Sequence, residues 1–224
     1  RVGGRIDVLR RLVALGVPVV VETWFVPEPG DEMGHYRLVT GYDAEAGTLT
    51  LADSYAGPAI TLGDAALDAD WRAFNRTFVA IYPESSEGDV ARALGDRSGA
   101  AMWLSAAATA REELADAEDA FAWFNLGTSL VGLGDVAAAA EAYDRARALG
   151  LPWRMLWYQF GPYEAYGAIG RWDDVEALAD STLHNVDNLE ESLYWRGLAR
   201  EARADAAGAR ADWERAVLLN PLWS

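Results

Sequence analysis

Hydrophobic and polar positions follow two different periods along this chain. In the first third, short runs alternate in polarity, are rich in β-branched and aromatic residues, and are separated by Pro, Gly and Asp. Such runs are typical of strands. We predict four short strands in one sheet, at residues 17–21, 36–42, 48–52 and 77–82.

Two further features frame these runs. Residues 43–47, which end in Gly47, link the second and third runs and predict a β-hairpin. Before the first run, apolar residues recur at helical spacing from Ile6 to Leu15, and Gly16 follows where a helix would end. The first 83 residues therefore predict a helix followed by an antiparallel sheet.

From Ser86 onward the periodicity is helical and rich in alanine, which an ordinary helical bundle would explain. A fixed internal period favours stacked repeats instead. Several small and large residues recur 70 residues later, which corresponds to two periods of 35. The pairs are Gly127 and Gly197, Ala139 and Ala209, Tyr143 and Trp213, and Ala146 and Ala216.

This spacing resembles the tetratricopeptide repeat, in which small residues let two helices approach and large residues fill the gap between them. A degenerate middle copy lies at about residues 157–183, where Gly170 stands 36 residues after Gly134. We therefore predict about three repeats over residues 119–222. A linker and capping helices are expected over residues 84–118, including a helix at 100–115 that covers the first repeat.

The resemblance to tetratricopeptide repeats implies a groove that accepts an extended peptide or a helix. The sequence offers no cluster of basic groove residues that would capture a carboxylate. A groove for a protein or peptide partner and a purely structural solenoid both remain open. The expected groove residues are Phe124, Asn125, Thr128, Tyr194 and Trp195.

Composition narrows the classes of partner. The 224 residues carry 19 basic and 35 acidic side chains, and the formal net charge of −16 makes nonspecific binding to nucleic acid or anionic lipid unfavourable. No apolar run approaches the roughly 18 residues of a membrane span. We expect a soluble protein, and the sequence leaves open whether it stays in a bacterial cytoplasm or is exported from a longer precursor.

The chain offers little for a metal ion or a cofactor. Glu28, Asp31, Glu32 and His35 fall within eight residues, but their stretch is rich in Pro and Gly and matches no calcium-loop spacing. A solvated acidic loop is the better interpretation. The glycines lack the context of a nucleotide-binding loop. We therefore expect no metal and no cofactor.

His35 and Asp53 are the pair of residues that could do chemistry. His35 enters the second predicted strand and Asp53 ends the third, so a turn at 43–47 places about residue 36 opposite residue 53. An imidazole held by a carboxylate keeps one tautomer and accepts a proton more readily. The alternative is an exposed loop histidine beside a turn-forming aspartate. The second histidine, His184, is expected near the end of a repeat helix, where a cation favours the carbonyl ends.

The order of segments over residues 1–83 resembles the papain-like cysteine peptidases of the bacteriocin-processing type. The segments are a helix, Leu-Gly-Val-Pro-Val-Val-Val-Glu, Gly-His-Tyr-Arg-Leu-Val-Thr-Gly-Tyr-Asp, Leu-Ala-Asp-Ser-Tyr and Phe-Val-Ala-Ile-Tyr-Pro. The resemblance implies that His35 is the catalytic base and Asp53 its orienter. In that family the nucleophilic cysteine, preceded by a glutamine, lies on an upstream helix. This chain contains no cysteine, so we expect no peptidase activity from it.

The expected fold is α+β, with a partial papain-like antiparallel sheet domain followed by an all-α tetratricopeptide-type solenoid. One hypothesis for function is the C-terminal part of a cysteine-peptidase-like protein whose repeats recruit a partner. The other is a noncatalytic scaffold or peptide-binding protein in which the sheet caps the solenoid. A glutamine and a cysteine encoded before Arg1 would favour the first.

The resemblance also predicts an apolar sheet face that needs a cover. In a papain-like fold the upstream helix covers one face, and Val19, Val21, Leu38 and Thr40 are expected to point towards it. The candidate covers are a separated N-terminal segment of the same protein, the repeat half folded back, and a second copy of this chain. We favour the first, because Arg1 begins within what resembles the body of a domain.

Overall fold

The computed structural model of the protein describes residues 1–95 and 99–223. The first part is an antiparallel sheet with three helices, and the remainder is helical, so the fold is α+β. The elements of the first part are α1 (Ile6–Ala14), β1 (Val19–Phe25), β2 (Met33–Asp43), β3 (Thr48–Asp53), β4 (Gly57–Gly63), α2 (Asp64–Trp71), β5 (Phe78–Ala80) and α3 (Glu87–Leu94).

The sheet has five strands in the order β4-β3-β2-β1-β5, and every neighbouring pair is antiparallel. The prediction of four strands was wrong, because it omitted β4. That strand lies at the edge of the sheet, contains Pro58 and is bounded by Gly57 and Gly63, and most of its residues are exposed. Edge strands of this kind lack the alternating apolar pattern on which a sequence-based prediction depends.

One face of the sheet is covered by helices of this same chain. Alternate residues of β1, β2 and β3 point to this face, and they are almost fully buried against α1, α2 and α3. Burial of each large apolar side chain stabilises the fold by about 1.5–3 kcal/mol. The sheet core therefore extends to α3, past the boundary at residue 83 expected from the sequence. The main contributors are Val19, Val21, Val39, Leu49 and Leu51 from the sheet and Leu9, Leu12, Leu67, Trp71, Val90 and Leu94 from the helices.

The register corrects the predicted composition of that face. Val19 pairs with Val39, and Val20 pairs with Leu38, so Leu38 points to the face opposite Val19 and Val21. Successive strand residues alternate between faces, and the register shifts around Thr40, whose side chain is exposed. The four residues expected to share one uncovered face therefore do not share it.

Part of the helical half packs on the opposite face of the sheet. Trp24 of β1 contacts Phe121 of the helical half, with ring centroids 5.4 Å apart, and also Phe74 of the sheet half, at 5.8 Å. A Cβ on Gly34 of β2 would lie 3.2 Å from the ring of Tyr158, so the absence of a side chain permits this close approach. The helical half thus supports the β1–β2 hairpin from behind.

A strained turn just before β5 makes hydrogen bonds to the helical half. Asn75 and Arg76 adopt left-handed backbone conformations, with φ of 53° and 49°. Asn75 Nδ2 donates to Ser129 Oγ at 3.0 Å, and Asn125 Nδ2 donates to the carbonyl of Arg72 at 2.6 Å. These buried hydrogen bonds offset the cost of the left-handed turn and fix the orientation of the first helices of the helical half.

The helical half consists of antiparallel neighbours that pack in chain order. Two short 3-10 turns lie in addition at Met155–Trp157 and Pro221–Trp223. The helices are α4 (Ala100–Asp116), α5 (Ala120–Gly132), α6 (Val136–Leu149), α7 (Gly161–Ala168), α8 (Trp172–Asn185), α9 (Glu190–Ala202) and α10 (Ala206–Leu219).

The α5–α6 pair and the α9–α10 pair use the same contacts 70 residues apart. A Cβ on Gly127 would lie 2.7 Å from the Tyr143 ring, and a Cβ on Gly197 would lie 2.2 Å from the Trp213 ring. Each second helix is capped by an aspartate side chain, from Asp135 and from the equivalent position in α10. In both pairs the glycine has no side chain, so the aromatic ring of the partner helix fills the space next to the glycine backbone and the two helices pack closely.

The middle pair, α7 and α8, departs from this arrangement. Helix α7 has 8 residues, whereas α5 and α9 have 13 each. The segment before α7 forms irregular turns, and the α7 residues Tyr163 and Tyr166 are fully buried. The irregular segment supplies Tyr158, which reaches back to the sheet.

Candidate functional site

The structure brings His35 and Asp53 together on the helix-covered face of the sheet. The β2–β3 register places Arg37 opposite Asp53, one residue from the expected position. His35 Nε2 lies 3.1 Å from Asp53 Oδ1. The two atoms do not form a complete hydrogen bond in this structure, and catalytic hydrogen bonds are often incomplete in sites without a bound reactant.

Asp53 is buried and held ionised by several donors. Its Oδ1 accepts hydrogen bonds from the backbone N–H groups of Tyr55 and Ala56 at 2.8 and 2.9 Å, and its Oδ2 accepts one from Arg37 Nε at 2.8 Å. Burial opposes ionisation, but the donors at Ala56, Arg37 and Tyr55 outweigh it and hold the pKa of Asp53 well below its usual range. Asp53 is thus a fixed negative charge beneath the imidazole.

Arg37 and Phe25 complete the surroundings of the pair. Arg37 Nη1 also binds Asp70 of α2 at 3.0 Å, and its guanidinium lies 5.7 Å from the centre of the Phe25 ring. The Phe25 ring stacks on His35, with centroids 4.6 Å apart and an interplanar angle of 28°. Neither Arg37 nor Phe25 was predicted from the sequence as a site residue. The signal for Arg37 was its position two residues after His35, which places it on the same face of β2.

An open groove runs past His35. The groove is lined by apolar side chains of β1, the β1–β2 loop, β2 and the β3–β4 turn, and the lining also includes Glu28 and Asp31. The His35 side chain is 14% exposed, so one edge of the ring faces this groove. The alternative of an exposed loop histidine does not describe His35, which lies within β2, although Asp53 does form the turn after β3. The apolar lining is Phe25, Pro27, Met33 and Tyr55.

No group of three or more His, Asp and Glu side chains in the described residues could hold a metal ion. The acidic loop before β2 is instead tied to the helical half. Arg154 binds Asp31 and donates to the carbonyl of Glu32 at 3.3 Å. Arg154 itself lies against two indole rings, those of Trp153 and Trp157.

The five residues expected to line a groove in the helical half do not meet on one open surface. Phe124 and Asn125 are 1% and 2% exposed, and Asn125 faces the sheet half. The Thr128 hydroxyl lies 3.2 Å from the Tyr143 hydroxyl. Trp195 stacks on Tyr163, and Tyr194 lies beside Trp195. His184 is exposed in the last turn of α8, the location expected for it.

Glu22 is a buried carboxyl that was not predicted from the sequence either. It lies on β1, on the face opposite His35, and is 5% exposed. The Tyr36 hydroxyl donates to Glu22 Oε1 at 3.3 Å. Burial raises the pKa of Glu22 to about 7, although the hydrogen bond from Tyr36 acts in the opposite direction. A carboxyl within the run Val-Val-Val-Glu-Thr-Trp was the available signal.

One family of known proteins is similar to the sheet half. Residues 2–79 match the model of the Peptidase_C39 like family. The match supports a peptidase-like domain in this part of the chain, and it includes both His35 and Asp53. No curated protein matches the chain. Among the described residues, no helix has the length and apolar character needed to cross a membrane.

Proposed function

We propose that this chain is the C-terminal part of a cysteine-peptidase-like protein, with His35 as the base and Asp53 as its orienter. The cysteine nucleophile would come from a segment outside the chain. Because the chain contains no cysteine, we expect no cysteine-peptidase activity from it by itself. The family match over the sheet half supports the class of site.

The observation that carries the proposal is the contact between His35 Nε2 and Asp53 Oδ1 at 3.1 Å. A carboxylate that holds Nε2 as the protonated nitrogen leaves Nδ1 as the proton acceptor. In the serine triad the aspartate binds Nδ1–H and Nε2 accepts the proton of the nucleophile. His35 would therefore exchange the roles of the two ring nitrogens. The buried and ionised Asp53 can also stabilise the imidazolium that forms when a thiol gives up its proton.

The helical half is proposed to be a module of about three tetratricopeptide-type repeats, at residues 119–222, which recruits a protein or peptide partner. The 70-residue repetition of the Gly127–Tyr143 and Gly197–Trp213 contacts supports the repeat assignment. Because Phe124 and Asn125 are buried, a partner would have to use other residues of the module.

A second candidate function is a noncatalytic scaffold in which the sheet domain serves as a cap. The absence of cysteine from the chain favours it. The buried hydrogen bonds between Asn75, Asn125 and Ser129 also favour it, because they join the sheet to the first repeat helices as one unit.

The two candidates are separated by the extended protein, meaning this chain together with the residues encoded directly before Arg1. We would treat it with a peptide epoxide that alkylates activated thiols and locate the label by mass spectrometry. The peptidase proposal predicts labelling of one upstream cysteine, loss of labelling in His35→Ala, and retention in His184→Ala. His184 is a matched control because it is the only other histidine.

The scaffold is favoured if the extended protein contains no cysteine in that segment. It is also favoured if the epoxide labels a cysteine equally well in the native protein and in His35→Ala. The chain without its extension serves as the unlabelled reference in both cases.

A further inference from the structure

We propose that Arg37 is the positioning residue of the site, which fixes the Asp53 carboxylate so that His35 keeps its proton on Nε2. The inference rests on the proposed function, because it concerns the same pair. Arg37 does not face the groove beside His35, and its role is therefore exercised through Asp53.

Both oxygens of the Asp53 carboxylate are held by hydrogen bonds. A carboxylate that is held at one oxygen can still rotate about its Cβ–Cγ bond, whereas one held at both oxygens cannot. Backbone N–H groups hold Oδ1 of Asp53, and Arg37 Nε holds Oδ2 at 2.8 Å. Arg37 is 8% exposed, so water does not readily replace its hydrogen bond. The direction of Oδ1 towards the imidazole therefore depends on Arg37.

The positive charge of Arg37 also keeps Asp53 ionised. Arg37 lies between two carboxylates, with Nε on Asp53 and Nη1 on Asp70. Asp53 is fully buried at its side chain, whereas Asp70 is 43% exposed and can be solvated. Without the guanidinium, Asp53 would be a buried anion with Asp70 nearby, and both features disfavour its ionised form. A protonated Asp53 would accept the hydrogen bond of Nε2–H only weakly, because it would have lost its charge.

Arg37 also contacts the aromatic ring that stacks on His35. Its guanidinium carbon lies 5.7 Å from the centre of the Phe25 ring, and the Phe25 ring stacks on the imidazole of His35. Arg37 thus restrains the imidazole by two routes, through Asp53 and through Phe25. Lysine would supply the charge, but its single ammonium group lacks the fork that reaches Asp53 and Asp70 together.

The test is NMR of the whole chain with 15N-labelled histidine. Only His35 and His184 contribute, and the exposed His184 serves as an internal reference. We expect the ring nitrogen shifts of neutral His35 to report Nε2–H, with a proton that exchanges slowly with water. In Arg37→Gln that exchange should become at least about tenfold faster, the factor implied by loss of one charge-assisted hydrogen bond.

Arg37→Lys should show Nε2–H exchange at a rate between those of the native protein and Arg37→Gln. If Arg37→Gln fails to fold, the comparison of Arg37→Lys with the native protein takes its place, and exchange as slow as in the native protein would overturn the positioning role. The matched control is Arg10→Gln, which removes another arginine paired with an aspartate and lying near an aromatic ring. Arg10 contacts Tyr42 and Asp64, whereas His35 lies at the other end of β2. The control should leave His35 exchange unchanged.

The possible results separate the inference from the proposed function. Slow Nε2–H exchange that persists in Arg37→Gln overturns the positioning role and leaves the pair intact. An equal acceleration in Arg10→Gln also overturns it, because the effect would then be a general loss of stability. A native protein whose neutral His35 carries its proton on Nδ1 contradicts the proposed pair itself.

Discussion

Replacement of Glu22 by glutamine should change how the stability of the protein depends on pH. Glu22 is almost fully buried, and its observed partner is the hydroxyl of Tyr36. Tyr158, from the irregular segment before α7, is the other titratable group that interacts with it. Glutamine keeps the shape and an acceptor oxygen for Tyr36 while removing the ionisation.

The magnitude follows from the two pKa values. The pKa of Glu22 rises from its ordinary value of 4.5 to about 7 in the folded protein. Between these pH values the unfolded chain has released the proton and the folded chain retains it, so stability falls as the pH rises. Each pH unit costs about 1.4 kcal/mol, which gives a loss on the order of 3 kcal/mol by pH 7, constant above that. Tyr36 and Tyr158 stay neutral in this interval, since the pKa of each is raised above 10.

The assay is urea unfolding at intervals between pH 4 and pH 8, with the free energy of unfolding extrapolated to water. Glu22→Gln should match the native protein near pH 4 and exceed it in stability by on the order of 3 kcal/mol at pH 8. Glu45→Gln is the control, because Glu45 is exposed in the β2–β3 turn and should leave the pH dependence unchanged. Parallel pH profiles for the native protein and Glu22→Gln would refute the reasoning.

Two further substitutions probe close packing, both read by thermal and urea unfolding. Ala209→Leu should destabilise the protein by about 1–3 kcal/mol, because Ala209 is 1% exposed in α10, whereas Ala207→Leu on the exposed side of α10 should have little effect. If Ala209→Leu has the same stability as the native protein, the predicted register of the repeats is wrong. Gly34→Ala should destabilise the protein by a smaller amount, since its Cβ would lie 3.1 Å from Phe74 and 3.2 Å from Tyr158, and these rings would have to move by a few tenths of an ångström. The control Gly88→Ala meets nothing closer than 3.8 Å, and equal effects at both glycines would contradict the docking of the helical half on β2.

The proximity of His35 and Asp53 could be predicted from the sequence, because the turn at residues 43–47 brings the start of β2 beside the end of β3. The face that the two side chains share could not be predicted in this way, because the register shifts around Thr40 and places Arg37, not residue 36, opposite Asp53. Asp43 in fact accepts hydrogen bonds from the backbone N–H groups of Glu45 and Ala46, which closes this turn. The position of such a turn is contained in a few consecutive residues.

The expected groove could not be predicted in the same way, because it depends on how distant segments pack. Asn125 has the position of an inward-facing repeat residue, yet its side chain binds the carbonyl of Arg72 in the sheet half. The burial of Glu22 likewise depends on strand neighbours and on the approach of Tyr158, which is far away in sequence. Periodicity identifies the helices but does not report which side faces another domain.

The central claim is that His35 and Asp53 form the base and orienter of a cysteine-peptidase-like site, and the thiol of the extended protein tests it most directly. We would measure the rate of alkylation of that cysteine by iodoacetamide between pH 4 and pH 9. An ordinary thiol, with a pKa of about 8.5, loses about tenfold in rate for each pH unit below that value. The account predicts a rate that stays high well below neutral pH in the native protein and follows the ordinary profile in His35→Ala. Identical ordinary profiles in the two proteins would contradict the claim.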